Sequence, residues 1–335
     1  MNLETELKTM DKKLIVAPSP HVHGNESTKR IMRDVLIALA PALVVSVIVY
    51  GWTTLLVTAV SVLSCVLFEY LIQKYLIKGP STIGNLSAVV TGVLLAFNLP
   101  ASIPVWIVVI GALVAIGIGK MTFGGIGKNP FNPALVGRVF LLISFPVQMT
   151  STAFATEKLA DVCSGATPLA FVKEGLKGGT PASELMAQID YTDLLLGFKA
   201  GSFGEVAALL LLVGFAYLLI RKVITWHIPV AVLGSMAIFS GILFLVNPEA
   251  YMSPLFHLLT GGAILGAVYM ATDYATSPMT TKGMLIYGAG IGIITMLIRT
   301  WGAYPEGMSF AILIMNAVAC LLNKYIKPRR FGAKK

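Results

Sequence analysis

Ser102-Ile103-Pro104-Val105-Trp106-Ile107-Val108-Val109-Ile110-Gly111-Ala112-Leu113-Val114-Ala115-Ile116-Gly117-Ile118-Gly119 carries no charged side chain. As a helix it would be about 27 Å long, close to the roughly 30 Å of a bilayer's hydrocarbon core. It runs straight into Lys120-Met121-Thr122-Phe123-Gly124-Gly125-Ile126-Gly127-Lys128-Asn129-Pro130-Phe131-Asn132-Pro133, whose prolines and glycines prevent continuous helix. Beyond that break the apolar character resumes. Non-helical backbone at membrane depth survives only where protein or a water-filled cavity satisfies it. An apolar span followed by such a break therefore predicts a helical membrane protein in which the break is either a re-entrant turn or part of an interior site.

The remainder of the chain repeats the apolar theme. Of its 335 residues 56% are hydrophobic and only 12% charged, with a mean hydropathy of +0.81; soluble domains carry about 25% charged residues. Hydropathy predicts ten spans, near 34–51, 53–73, 82–98, 102–119, 134–149, 203–221, 225–246, 255–273, 283–300 and 306–325. The fold class is thus all-α and polytopic. Residues 1–33 are polar and of mixed charge, with no cleavable signal pattern, so the first span is expected to act as its own insertion signal.

The net charge of +9 could suggest nucleic acid, but its distribution argues for membrane lipid and no nucleic acid. With both termini in the cytoplasm, most of the 25 basic residues fall in inner tails and loops, and Arg299 is alone in the short outer loops. The resulting map has a cytoplasmic tail (1–33), a first half (34–149), an outward loop (150–202), a second half (203–325) and a basic cytoplasmic tail (326–335). The apolar stretches Pro168–Val172 and Tyr191–Phe198 in the long loop predict packing on the bilayer surface or on a partner. Thr91-Gly92 in the third span and Thr260-Gly261 in the eighth lie about half a chain apart. Five spans per half would invert the second copy, and inverted repeats place binding sites near the midplane; Thr-Gly pairs are also common in membrane helices, so chance similarity stays open.

Several groups could carry chemistry. Asp161-Val162-Cys163-Ser164-Gly165-Ala166-Thr167 offers the Thr167 hydroxyl among small residues that a bulky group could approach. Asn129 and Asn132 present two carboxamides, each with donors and an acceptor; they could match the pyrimidine edge of a flavin, or merely cap helices. Asp273, in Thr272-Asp273-Tyr274, is one of few carboxylates beside a span and a candidate by default; capping or pairing with Lys282 is the alternative. Asp34, Glu69, Arg138, Glu205, His227 and His257 fall near expected helix ends, where snorkelling or capping accounts for them. His21 and His23 lack a third metal ligand and read as surface or partner-contact residues. Cys65 and Cys320 lie in apolar runs as packing residues, and the three cysteines lack metal spacing. No metal site is expected, and an iron–sulfur cluster held by this chain alone is excluded. The glycine cluster follows a membrane helix, not a strand, which argues against direct NADH oxidation.

The Asp-x-x-Ser-Gly-Ala-Thr motif ending at Thr167 resembles the flavinylation motif of the RnfD/NqrB family. The Gly124-Gly125 and Asn129-Pro130-Phe131-Asn132-Pro133 loop and the Thr272-Asp273 to Ser277-Pro278 segment resemble that family's as well, and the hydrophobic framework matches from about residue 18 to the C-terminus. The short N-terminal tail is nearer the RnfD branch. The resemblance implies two inverted five-helix repeats with a urea-transporter-like fold. It implies FMN joined through its phosphate to Thr167, with Asp161, Ser164, Gly165 and Ala166 completing the motif read by a flavin transferase. It further implies a non-covalent riboflavin at Gly124, Gly125, Asn129, Asn132 and Asp273. The expected role is that of one membrane component of an Rnf-type ferredoxin:NAD oxidoreductase in the bacterial inner membrane. Its expected partners are a flavin-bearing outer-face protein of the complex and membrane iron–sulfur proteins. It is not expected to be catalytic alone, and it would pass single electrons while Na⁺ or H⁺ is translocated. A urea-transporter-like permease without redox role explains the helices equally well but gives no reason for residues 161–167.

Overall fold

A computed structural model describes residues 27–79, 81–150, 167–197, 201–205 and 208–327. Among them the chain is helices and connecting turns, without strands. The expectations for Asp161, Cys163, Ser164, Gly165, Ala166, His21, His23 and the tail ends lie outside the described residues.

The helices are α1 (Thr28–Tyr50), α2 (Trp52–Leu71), α3 (Ser87–Phe97), α4 (Val105–Leu113), α5 (Pro133–Ser144), α6 (Pro146–Thr150), α7 (Pro168–Lys177), α8 (Ala182–Ala187), α9 (Tyr191–Leu196), α10 (Ala208–Ile220), α11 (His227–Val246), α12 (Pro254–Leu259), α13 (Ala263–Leu265), α14 (Thr281–Trp301) and α15 (Met308–Tyr325). Wider helical turns extend α2 to Ile77, α4 through Val114–Ile118 and α13 through Gly266–Met270. Six helical segments are long and apolar enough to cross a membrane, and three shorter apolar ones accompany them: Ser87–Phe97, Pro133–Ser144 and Ala208–Ile220. Their outer faces carry Ile48, Leu63, Ile220 and Leu245, the last 83% exposed, a surface that suits lipid and not water. The architecture is that of a polytopic helical membrane protein.

Close packing rests on small residues, as expected where lipid gives no hydrophobic drive between helices. A Cβ on Gly92 would lie 2.7 Å from the Val62 backbone, so α3 reaches α2 only because glycine is there; Ser61 Oγ donates to Gly92 O at 2.7 Å across the same seam. Gly288 of α14 meets Ile228 and Ala231 of α11 in the same way. Helices α1 and α10, and α5 and α15, pack together across the two halves.

The two Thr-Gly segments behave differently. Thr91-Gly92 sits in unbroken helix, whereas Thr260 is extended (φ −104, ψ 154) and Gly261 takes φ +63. The eighth span is therefore interrupted between α12 and α13, at a place where the sequence predicts continuous helix. Gly261-Gly262 makes the left-handed step possible at low steric cost.

The segment 167–197 corrects another expectation. Leu169 and Val172 of α7, Ala182 and Leu185 of α8 and Leu194 of α9 form a small core with Met252 and Phe256 of the same chain. The apolar side of the long loop is thus used within the chain. Cys65 is buried as expected, but Cys320 is exposed and packs no core.

Candidate functional sites

The broken loop after α4 is built before any ligand is considered. Asn132 is the N-cap of α5: its Oδ1 accepts from Ala134 N at 3.1 Å and Leu135 N at 3.4 Å. That satisfies two donors a helix start leaves orphaned, and Pro133 sits at the first position, where no N–H is needed. The Asn132 Nδ2 donates to Met270 O at 3.1 Å, tying α5 to the extension of α13 in the other half. Asn129 Nδ2 donates to Phe131 O at 3.0 Å. Gly124 and Gly125 have φ of +101 and +95; they turn the loop and do not line the cavity beneath it.

Beneath that loop a cavity lies between the halves, lined by residues of both. Val90, Thr91 and Leu94 of α3, Asn129, Asn132, Lys120, Tyr269, Thr272 and Asp273 face it, together with the start of α1 and the end of α10. The structure therefore brings Asn129, Asn132 and Asp273 together. Asp273 accepts from Thr276 Oγ1 at 3.4 Å and does not pair with Lys282 among the described contacts.

Lys120 is part of this wall, and sequence reasoning misses it. Its place in the chain suggests an inner loop, but it is 3% exposed, with its Nζ 2.5 Å from Glu69 Oε2 and 2.7 Å from Ser87 Oγ. Thr82 Oγ1 donates to the other Glu69 oxygen at 2.6 Å. Glu69 is fully buried, so it is no snorkelling residue. Asp34 (3% exposed) binds Arg221, with Nη2–Oδ2 at 3.1 Å. Arg138 (9% exposed) donates to Asn98 Oδ1 at 2.8 Å and Ser309 Oγ at 2.7 Å, joining three helical segments. Each of these residues faces neighbours that one sequence cannot place, and so reads as peripheral. The only sequence signal is an ionisable residue among apolar ones. The Glu205 side chain lies outside the described part, while His227 does lie at a helix start, stacked on Trp226.

A second locus surrounds Thr167. Thr167 is the N-cap of α7, with φ −56, ψ 149 and its Oγ1 3.2 Å from Ala170 N. Pro168 occupies the first helical position and no acidic residue stands in the first turn. A helix start of this kind is favourable ground for a phosphate. Helix α7 is fixed to the second half: Lys173 Nζ donates to Gly302 O at 2.6 Å and Tyr304 O at 2.7 Å, and Leu169 lies against Gly261 at the helix break. Burial, followed by the nearby Lys177, pulls the Lys173 pKa below the ordinary lysine value. Arg299, expected in an outer loop, is buried beside this helix. Its guanidinium donates to His257 O (2.6 Å), Thr260 O (3.0 Å) and Glu306 (3.2 and 3.3 Å). Glu306 in turn accepts from Gly262 N, Gly307 N and Met308 N, capping α15. Among the described residues no cluster of three potential metal ligands occurs.

Comparison with known proteins adds to this geometry. The model of the NQR2, RnfD, RnfE family matches residues 15–332. The chain is 47% identical over 324 residues to the D component of the Na(+)-translocating ferredoxin:NAD(+) oxidoreductase complex of Acetobacterium woodii, covering 96% of each chain. It is 40% identical to the D component of the proton-translocating ferredoxin:NAD(+) oxidoreductase complex of Clostridium ljungdahlii, again over 96% of each. With the D component of the ion-translocating oxidoreductase complex of Erwinia tasmaniensis the identity is 37%, over 96% of this chain and 98% of the relative.

Proposed function

The chain belongs to the NQR2, RnfD, RnfE family, and we propose that it is the D component of an ion-translocating ferredoxin:NAD⁺ oxidoreductase complex. In this reading it helps relay single electrons through the membrane, coupled to movement of Na⁺ or H⁺, and is not catalytic alone. The other proteins of the complex, including a flavin-bearing one and iron–sulfur ones, would dock around it in a bacterial cytoplasmic membrane. The ten hydrophobic segments would form two inverted halves, with Thr167 outside and both termini inside.

The supporting observation is the setting of Thr167. Its hydroxyl, at the start of a helix held against the second half, suits FMN attached through a phosphoester. The phosphate oxygens would accept the Ala170 N–H that Thr167 Oγ1 now accepts, and no carboxylate of that turn would oppose them. Asp161, Ser164, Gly165 and Ala166 would supply the recognition motif for a flavin transferase. The cavity between the halves suits a second, non-covalent flavin such as riboflavin. Asn129, Asp273 and Lys120 would supply its polar contacts, and Val90, Leu94 and Val268 its apolar walls. Asn132 spends its oxygen on the α5 cap, so its share would be limited to the amide hydrogen left over. Bound flavins would supply one-electron exchange; the protein's part is to fix their position and set the surrounding charge.

Intact mass of the chain produced with its flavin transferase tests the attachment. One FMN increment is expected, together with a fluorescent band in a denaturing gel, and both should vanish in Thr167→Ala. A Thr167→Ala band that stays fluorescent refutes the site.

A further inference from the structure

Among the described residues that line the cavity between the halves, only Lys120 is basic and only Asp273 is acidic. The lysine stands against the local electrostatics. Its Nζ donates to Ser87 Oγ at 2.7 Å, and Ser87 opens α3, a start with no side-chain cap. The start of a helix is its positive end, where a cation is disfavoured. Leu86, the residue before it, holds φ +60 and ψ 5, a left-handed backbone that leucine rarely adopts. Such strain persists where the surroundings impose it, and it gathers at functional sites. What holds Lys120 in place lies behind it. Glu69 is fully buried, with one carboxylate oxygen 2.5 Å from Lys120 Nζ and the other accepting from Thr82 Oγ1 at 2.6 Å. Glu69 is not part of the cavity wall, so Lys120 stands nearer the cavity than its counter-ion does.

We propose that Glu69 is a positioning residue which, through Lys120, sets the reduction potential of the non-covalent flavin read into this cavity; the inference rests on that reading. An electron added to a neutral ring leaves one negative charge unless a proton follows. A fixed ammonium in the wall stabilises that charge, and does so more strongly where water screens little. Coulomb energy falls with distance, so the nearer ammonium outweighs the carboxylate behind it, and the pair leaves a net positive field at the ring. Glu69 thus holds the lysine where it acts and also trims its effect. Removing either member breaks the same buried pair, yet the two removals push the ring in opposite directions. Loss of the Glu69 charge frees the whole lysine field, whereas loss of Lys120 leaves a carboxylate behind the wall. A pair that served packing alone would show no such divergence.

The test uses the full chain carrying Thr167→Ala, so that no covalent flavin contributes, loaded with riboflavin in detergent. The midpoint potential of the bound riboflavin is read by spectroelectrochemical titration. In this parent background Glu69→Gln should raise the potential and Lys120→Met should lower it. The double variant Glu69→Gln/Lys120→Met should fall between the parent and Lys120→Met. Thermal stability ranks differently, with the double variant above both single ones, so damage to the fold alone cannot reproduce the order of potentials. Should Lys120→Met fail to fold, the double variant and Glu69→Gln still decide the matter. A potential moved the same way by both single substitutions, moved by only one or by neither, or no lower in the double variant than in the parent, overturns the proposal while riboflavin binding stands. A parent chain that takes up no riboflavin overturns the reading of the cavity and this inference together.

Discussion

Replacing Lys120 with methionine should strand a carboxylate in the interior. Glu69 is fully enclosed, and its closest partner is the Lys120 ammonium, 2.5 Å away and itself 3% exposed. Removing one partner of a buried ion pair costs about 3–5 kcal/mol, because the remaining charge has no water to turn to. Thr82 Oγ1 continues to donate to the other oxygen, which places the expectation at the lower end of that range. At about 2–4 °C per kcal/mol for a large domain, Lys120→Met should lower the melting temperature by on the order of 10 °C. The double variant Glu69→Gln/Lys120→Met removes both charges and should recover most of the loss. The assay is thermal unfolding of the purified chain in detergent, read by loss of the monodisperse size-exclusion peak. A Lys120→Met protein that melts with the wild type, or a double variant no better than the single, refutes the claim that this pair is dry and mutually dependent.

Other substitutions probe the remaining contacts. Arg299→Leu removes donors to His257 O, Thr260 O and Glu306 at once, and should cost about 3–5 kcal/mol in the same thermal assay; Arg299→Lys should rescue only part, since one ammonium cannot reproduce the planar fork. Gly92→Leu must push α3 off the Val62 backbone and should prevent a monodisperse fold, whereas substitution at open Gly84 should be mild by the same chromatographic measure. Hydrogen bonds from the Thr192 side chain and backbone N–H hold the Asp190 carboxyl below the ordinary aspartate value of 3.8. Because the folded value is depressed, its stabilising effect is complete above 3.8 and is lost as pH falls through the folded value. Carboxyl carbon-13 titration should show the lowered midpoint, and Thr192→Val should raise it.

The helices are legible in part because hydropathy is a local signal: six of the ten expected segments coincide with helices long and apolar enough to cross a membrane, and the other four meet shorter or interrupted helices. The breaks are only partly so. Gly124 to Pro133 announces itself through prolines, but the Gly261 interruption reads as ordinary membrane helix until its left-handed backbone is seen. Asn129, Asn132 and Asp273 stand out in the sequence and do meet at one cavity. Yet the capping alternative for Asn132 describes what its oxygen is doing. The charged residues are the least readable. Glu69 and Lys120 are 51 residues apart in the chain, and nothing local says that they meet. The apolar loop face is recognisable but its neighbour is not, because Phe256 and Met252 arrive from the far half.

Helix α7 is fixed to the second half at two points one turn apart, by Leu169 on Gly261 and by Lys173 on two carbonyls after α14. Thr167 therefore sits on a rigid bracket and not on a leash. If Thr167 carries the group proposed for it, the anchor of that group would hold a constant bearing to the interrupted helix, and a tilt of that half would swing the anchor through an arc of fixed radius.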